Sequence, residues 1–364
     1  MMLARSIVSP HLCFDQKLIA PAFQRHLWSP SPSPSPFTLS TIVGNKLSNR
    51  LSNCSHPAMA VTAQAKMVAP QLTNVDELIN SVETFIFDCD GVIWKGDTLI
   101  DGVPETLDML RDLGKRLVFV TNNSTKSRKQ YGKKFETLGL NVTEEEIFAS
   151  SFAAAAYLKS IAFPADKKVY VIGEIGILKE LELAGINYLG GPDDGDKKID
   201  LTPGALMHHD HDVGAVVVGF DRYINYYKLQ YGTLCIRENP GCLFIATNCD
   251  AVTHLTDAQE WAGGGTMVGA IKGSTKKEPL VVGKPSTFMM DYLSKKFGIT
   301  KSQICMVGDR LDTDILFGQN GGCRTLLVLS GVTTYGMLTD PTNNIQPDFY
   351  TTQISDLLAK KVKV

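Results

Sequence analysis

The side chains able to do covalent chemistry fall in four short pieces. Asp88-Cys89-Asp90-Gly91 puts two carboxylates two residues apart, directly after the apolar run 84–87. One such carboxylate can bind a metal and attack while the other moves protons, and Gly91 lets the chain turn sharply and a substrate approach the backbone. Thr121-Asn122-Asn123 supplies a hydroxyl and nearby N–H groups able to hold phosphate oxygens. Lys284, in Val282-Gly283-Lys284-Pro285, is a lone cation after an apolar run, and Gly308-Asp309-Arg310-Leu311-Asp312-Thr313-Asp314 adds acids after another. Carboxylates beside a buried strand are costly without a cation. Hard oxygen donors suit Mg²⁺, which takes one or two protein carboxylates plus phosphate and water oxygens. Together the pieces read as a phosphoryl-transfer site with a carboxylate nucleophile. Mg²⁺ and Lys284 would neutralise a phosphate dianion that Asp88 otherwise repels.

Such pieces need elements that end beside them. Residues 84–87, 116–121, 147–149 and 168–172 read as strands, and 103–113, 127–138 and 152–161 as helices between them. Leu107, Leu110 and Leu113 share one helical face, and Gly139 is a stop. Strands alternating with helices imply a parallel sheet covered on both faces, with ligands beyond the carboxyl ends of its strands. After the Gly/Asp/Lys-rich loop 190–200 the texture changes: a strand at 213–218, a helix at 225–238, a strand at 243–247, a Gly-rich turn at 261–266 and a helix from 267. The first pattern then resumes through 280–282, 286–297, 304–308, 313–320 and 325–328. The expected fold class is α/β: a Rossmann-like parallel sheet core over 67–173 and 283–364, with an inserted α/β cap domain over 174–282.

Composition sets the outer limits. The chain has 364 residues, 44% of them hydrophobic, and a net charge of −2. That suits a core-forming protein with room for two or three domains and offers no general electrostatic case for nucleic-acid binding. No apolar stretch reaches the roughly 18–20 residues of a membrane span. Eight dispersed cysteines do not suggest a disulfide-stapled scaffold. Residues 1–66 hold six Lys/Arg and one acid, a net +5, so the remainder carries −7. The same stretch contains an alternating Ser-Pro run from Ser29 to Pro36, which cannot sit inside a helix or sheet. A Ser-rich, basic, acid-poor leader reads as an organelle transit peptide rather than a regulatory tail, and composition favours the chloroplast only slightly over the mitochondrion.

In this order, Asp-x-Asp-Gly, Thr-Asn-Asn, Gly-Lys-Pro and Gly-Asp-x-x-x-Thr-Asp resemble the haloacid dehalogenase-like phosphatases. The long insertion between Thr121 and Lys284 resembles the subclass with a large α/β (C2-type) cap. Segments such as FIFDCDGVIWKGD and CMVGDRLDTDILFGQNGG carry the likeness from about Ser81 to the C-terminus. The resemblance implies that Asp88 attacks phosphorus and that Asp90 protonates the leaving group, then activates water. It implies Mg²⁺ held by the Asp88 carboxylate, the Asp90 main-chain carbonyl and Asp309, with Asp314 just behind. Thr121, Asn122, Asn123 and Lys284 would bind the phosphate. A dehalogenase would lack the second acid, so Asp90 argues against dehalogenation. Caps of this type also imply a homodimer.

The core chemistry treats phosphomonoesters alike, so selectivity is expected from the cap. Candidates are Asn248, Asp250, His254 and Gly264, with His254, Arg222 or Arg237 able to meet a substrate carboxylate. The resemblance implies 2-phosphoglycolate as substrate, with pyridoxal phosphate or a sugar phosphate as the alternative. A non-enzymatic phospholigand-binding module is disfavoured, because both Asp88 and Asp90 are present. His208-His209-Asp210-His211-Asp212 has no regular ligand spacing and reads as a solvated loop. Cys235, Cys242 and Cys249 read as small buried residues, Asp312 as an exposed or capping acid, and Gly263–Gly265 equally as a turn or a substrate-facing loop. Cys89, between two acids, should have a raised thiol pKa and no nucleophilic role.

Overall fold

The computed structural model describes residues 68–256 and 258–358. The expected leader over 1–66 lies outside the described residues. Eleven strands build two sheets. They are β1 (Thr84–Phe87), β2 (Arg116–Thr121), β3 (Ile147–Ala149), β4 (Lys168–Ile172), β5 (Tyr188–Gly190), β6 (Val213–Val218), β7 (Leu243–Ala246), β8 (Leu280–Val281), β9 (Ile304–Gly308), β10 (Arg324–Val328) and β11 (Phe349–Thr351). The larger sheet runs β11-β10-β9-β1-β2-β3 and the smaller β8-β7-β6-β4-β5. Every pairing within them is parallel. Parallel strands must be joined by crossovers, here mostly helices, which bury both faces. Accordingly β1 and β9 are buried at every position.

Alternation along β1 divides the core into layers. Phe85 and Phe87 face one side and stack on each other, and Phe87 stacks on Phe119, which meets Phe135 of the helix Arg128–Thr137 at 4.8 Å. Ile86 faces the other side, in one cluster with Val118, Met306 and the smaller sheet's Val169, Val171 and Val217. The helix Arg128–Thr137 starts where its residues dictate: Ser127 and Gln130 form a reciprocal capping box.

Two expectations need correction. The sequence places 168–172 in the core segment 67–173, but β4 pairs with β5 and β6 in the smaller sheet. An apolar strand reads the same whichever sheet it joins, because its partners are far away in sequence. The helix expected from 267 spans Gly264–Thr275. Its opening glycines belong to the first turn, where they allow a close approach to the loop 249–252. No helix of the described residues is long and apolar enough to cross a membrane.

Candidate active site

β1 lies at the point where the chain's direction of winding reverses: β2 and β3 follow on one side of it, β9 to β11 on the other. Loops leaving the carboxyl ends on either side of such a point diverge and open a crevice. Asp88 follows β1, Thr121 ends β2 and Asp309 follows β9, so all three meet there. Lys284 arrives from the smaller sheet, three residues past β8.

At the crevice floor, Lys284 Nζ lies 2.5 Å from Asp88 Oδ1 and 2.7 Å from Asp314 Oδ1, and donates to the Val120 carbonyl at 3.2 Å. All four residues are buried. Carboxylate oxygens of Asp88, Asp309 and Asp314 lie within 4.8 Å of one another. Burial pushes the Asp88 carboxyl well up; Lys284 opposes this, and Asp314, Asp309 and Asp90 add to it. Burial and then Asp314 push Asp309 up to about 7. Burial works against the Lys284 charge, but Asp314 and Asp88 outweigh it and hold the ammonium above the ordinary lysine value.

Local backbone sets these positions. A single π-helical turn, Leu311–Ile315, swings Asp314 back so that its Oδ2 accepts the N–H groups of Asp309 and Arg310, both at 3.1 Å. Asp309 Oδ2 accepts the Val332 N–H at 2.6 Å. Gly91 sits at φ +82, and a Cβ there would come 2.5 Å from Asp309 Oδ2, so only glycine lets this turn approach the carboxylate.

The structure gives the Asn122 side chain a different task from direct phosphate binding. Its Oδ1 accepts the Lys284 N–H at 2.8 Å; its Nδ2 donates to the Lys284 carbonyl at 3.0 Å and to both Asp250 oxygens at 3.2 Å. Both amide hydrogens are thereby committed. The Asn122 carbonyl accepts Asn248 Nδ2 at 2.7 Å and the Ser150 hydroxyl at 2.6 Å. Asn248 Oδ1 in turn accepts the Asp250 N–H at 3.0 Å. The loop after β7 is thus stitched to the segment that carries Lys284. Gly283 permits this closeness, since a Cβ would stand 2.1 Å from the Thr247 carbonyl. Burial raises the Asp250 carboxyl, with Asn122, Arg310 and Lys284 opposing. Thr121 is buried and its Oγ1 accepts the Asn123 N–H at 3.1 Å, while the exposed Asn123 side chain accepts from Thr125.

Asp90 is exposed at the crevice rim, where its Oδ1 accepts the Trp94 indole N–H at 2.9 Å. Nothing in the spacing of Asp90 and Trp94 reveals this contact. The Cys89 thiol is buried and pushed well up by burial, then by Asp88 and Asp90. Gly264 starts its helix with space for a Cβ only 3.2 Å from Asn248 Oδ1. His254 is exposed beside the short strand Val252–Thr253.

Two proposed cations for a substrate carboxylate are elsewhere engaged or placed. Arg222 grips the buried Glu174 with two bonds of 2.7 Å. Arg237 is exposed near the end of the helix leading into β7, away from the loop that follows that strand. Arg310 fastens on Asp312 at 3.2 and 3.1 Å. In the histidine-rich loop, His209 and His211 both face Asn239 Oδ1, at 3.0 and 3.4 Å, and Asp210 pairs with Lys168. Cys235 and Cys242 are buried as expected, but Cys249 is exposed, because it sits in the loop beyond β7 rather than in the strand.

A buried acidic cluster bridged by one lysine, at the switch point of a parallel sheet and tied to a loop of the second sheet, is an arrangement able to carry a carboxylate nucleophile. The chain belongs to the haloacid dehalogenase-like hydrolases: residues 85–187 match the haloacid dehalogenase-like hydrolase model, and residues 281–357 a HAD-hydrolase-like model. It is 76% identical over 333 residues to Arabidopsis thaliana phosphoglycolate phosphatase 1A, chloroplastic, covering 89% of this chain and 92% of that one. Homo sapiens glycerol-3-phosphate phosphatase is 38% identical over 81% of this chain and 95% of its own. The solved p-nitrophenyl phosphatase from Archaeoglobus fulgidus superposes with a TM-score of 0.66 at 32% identity, over 76% of this chain and 98% of that one.

Proposed function

We propose that this enzyme hydrolyses 2-phosphoglycolate to glycolate and phosphate in the chloroplast stroma, where it serves photorespiration. The observation that carries the substrate is the 76% identity to a phosphoglycolate phosphatase across nearly the whole chain. The stromal location rests on that relative's chloroplastic name and on the basic leader, and the homodimer on the cap type.

The chemistry follows from the cluster. An Asp88 oxygen attacks phosphorus while the ester P–O bond breaks. Asp90, at the rim, gives its proton to the departing alkoxide. Water then attacks the aspartyl phosphate, Asp90 takes a proton from that water, and phosphate leaves with Asp88 restored. Lys284 holds Asp88 in place and offsets negative charge on the transferring group. Thr121 and the backbone beside it face the phosphate oxygens, and Asn122 with Asp250 fixes the Lys284 main chain.

The acidic cluster fits a hard divalent cation. Among the described residues, Asp309 Oδ1 is one of two buried side-chain polar atoms without a hydrogen-bond partner. A carboxylate oxygen so placed needs a cation or a proton. Asp88, the Asp90 carbonyl and Asp309 would hold Mg²⁺, with Asp314 orienting Asp309. When bound, the ion supplies Lewis-acid neutralisation of phosphate charge. Chelation is therefore expected to abolish turnover, and Mg²⁺ to restore it. Mg²⁺ should also raise the Tm of the free enzyme and leave that of Asp309→Asn unmoved. An equal Tm rise in the variant would remove Asp309 from the ligand set.

A panel of kcat/KM values over phosphoglycolate, pyridoxal phosphate, glycerol 3-phosphate and p-nitrophenyl phosphate tests the substrate. Phosphoglycolate should lead by about tenfold or more, because a site built around a substrate's polar group rejects analogues lacking it. A lower rank for phosphoglycolate overturns the assignment.

A further inference from the structure

Trp94 takes no part in the chemistry above, yet it is among the largest fully buried side chains and its only polar atom is aimed at Asp90. The contact is built by the surroundings. Cys89 O accepts the N–H groups of Ile93 and Trp94 at 2.8 and 3.2 Å, and the Gly91 N–H reaches Trp94 O at 2.7 Å. This closes a tight loop that returns the indole to the acid four residues before it. Trp94 also opens a two-strand hairpin with Thr98–Leu99.

The helix Arg128–Thr137 fixes the ring from the other side. Phe135 meets it edge-on at 4.8 Å and 65°. Lys134 Nζ sits 4.4 Å from the ring centroid and donates to Gly96 O at 2.7 Å, so the same lysine holds both the indole and the hairpin turn. An exposed aspartate would ordinarily sample several rotamers. Here one oxygen is tied to a buried ring packed between Phe135 and Lys134.

We propose that Trp94 is a positioning residue for Asp90: its indole N–H fixes Oδ1, so that Oδ2 is presented to the leaving-group oxygen for proton transfer. This rests on the reading of Asp90 as the proton donor. A buried indole N–H needs some acceptor in any fold. Here the orientation of that acceptor limits the rate of proton transfer.

The test uses leaving groups that differ in their need for a proton. Glycolate leaves as a strongly basic alkoxide unless protonated; p-nitrophenolate leaves unaided. In single-turnover experiments Trp94→Phe should slow glycolate release about tenfold, and p-nitrophenolate release by no more than about twofold. Asp90→Asn, run alongside, should show the same selectivity with a larger defect. Replacing Trp94 by β-(3-benzothienyl)alanine keeps the ring volume and removes only the N–H, so it gives the same answer should the phenylalanine variant fold poorly. Equal slowing of both substrates in the Trp94 replacements, with selectivity retained in Asp90→Asn, overturns the role of Trp94 alone. Absence of selectivity in Asp90→Asn overturns the assignment of Asp90.

Discussion

Asp88→Asn should abolish phosphoryl transfer while leaving the fold intact. The substitution keeps the side chain's size and planarity but removes the attacking oxygen anion, for which an amide is no substitute. A nucleophile working within a coupled site is worth roughly 10⁴-fold or more in kcat. Stability should move the other way. Asp88 is buried against Asp314 and Asp309, and its carboxyl is pushed up by that burial and by those charges. Removing one of three clustered acids leaves Lys284 paired with Asp314 at 2.7 Å. The Tm of the metal-free variant should therefore equal or exceed that of the parent, as is usual where a site's charges are arranged for function. Two measurements check this: steady-state release of phosphate, and trapping of labelled phosphoenzyme after acid quench. Wild-type turnover, or a phosphoenzyme that still forms, would take the nucleophile role away from Asp88.

Much of this site is legible in the sequence because its pieces are local. Asp88, Thr121 and Asp309 each lie at a strand end, and apolar runs mark strand ends without reference to anything distant. The same reasoning stops at contacts between pieces. Lys284 meets Asp88 across 196 residues, and no local pattern fixes that distance. That the Asn122 side chain spends both its amide hydrogens on Lys284 and Asp250 shows only in the structure. β4 reads as one more buried parallel strand, which it is; only pairing shows that it belongs to the smaller sheet. The ring of Trp94 is an unremarkable core aromatic by type, and its role turns on one N–H vector. Side-chain direction is set by packing from elements that the sequence lists far apart.

Lys284→Met tests the electrostatics of the whole cluster, and its effects should be large on both activity and stability. Methionine fills a similar volume, so packing is largely kept. What is lost is the only side chain cation in contact with Asp88 and Asp314 among the described residues. Breaking a buried ion pair by removing one partner typically costs about 3–5 kcal/mol, because the remaining charge is stranded. Loss of one charge-stabilising group at the reacting centre should lower kcat by roughly 10²–10³-fold. The stability loss carries a pH signature whose sign is fixed. Lys284 now lowers the carboxyls of Asp88 and Asp309, which nevertheless stand above their ordinary values. Without it they rise further, so the folded variant binds more protons than the unfolded chain above the ordinary carboxylate range. Stability then falls as pH increases from that range through the folded-state values. The metal-free variant should lie nearest the parent in Tm at about pH 5 and furthest below it near pH 8, where the cluster must carry uncompensated charge. Thermal melts across that window, with Mg²⁺ chelated, measure the difference directly. A Tm deficit independent of pH would mean that Lys284 stabilises the fold through packing rather than by balancing buried carboxylates.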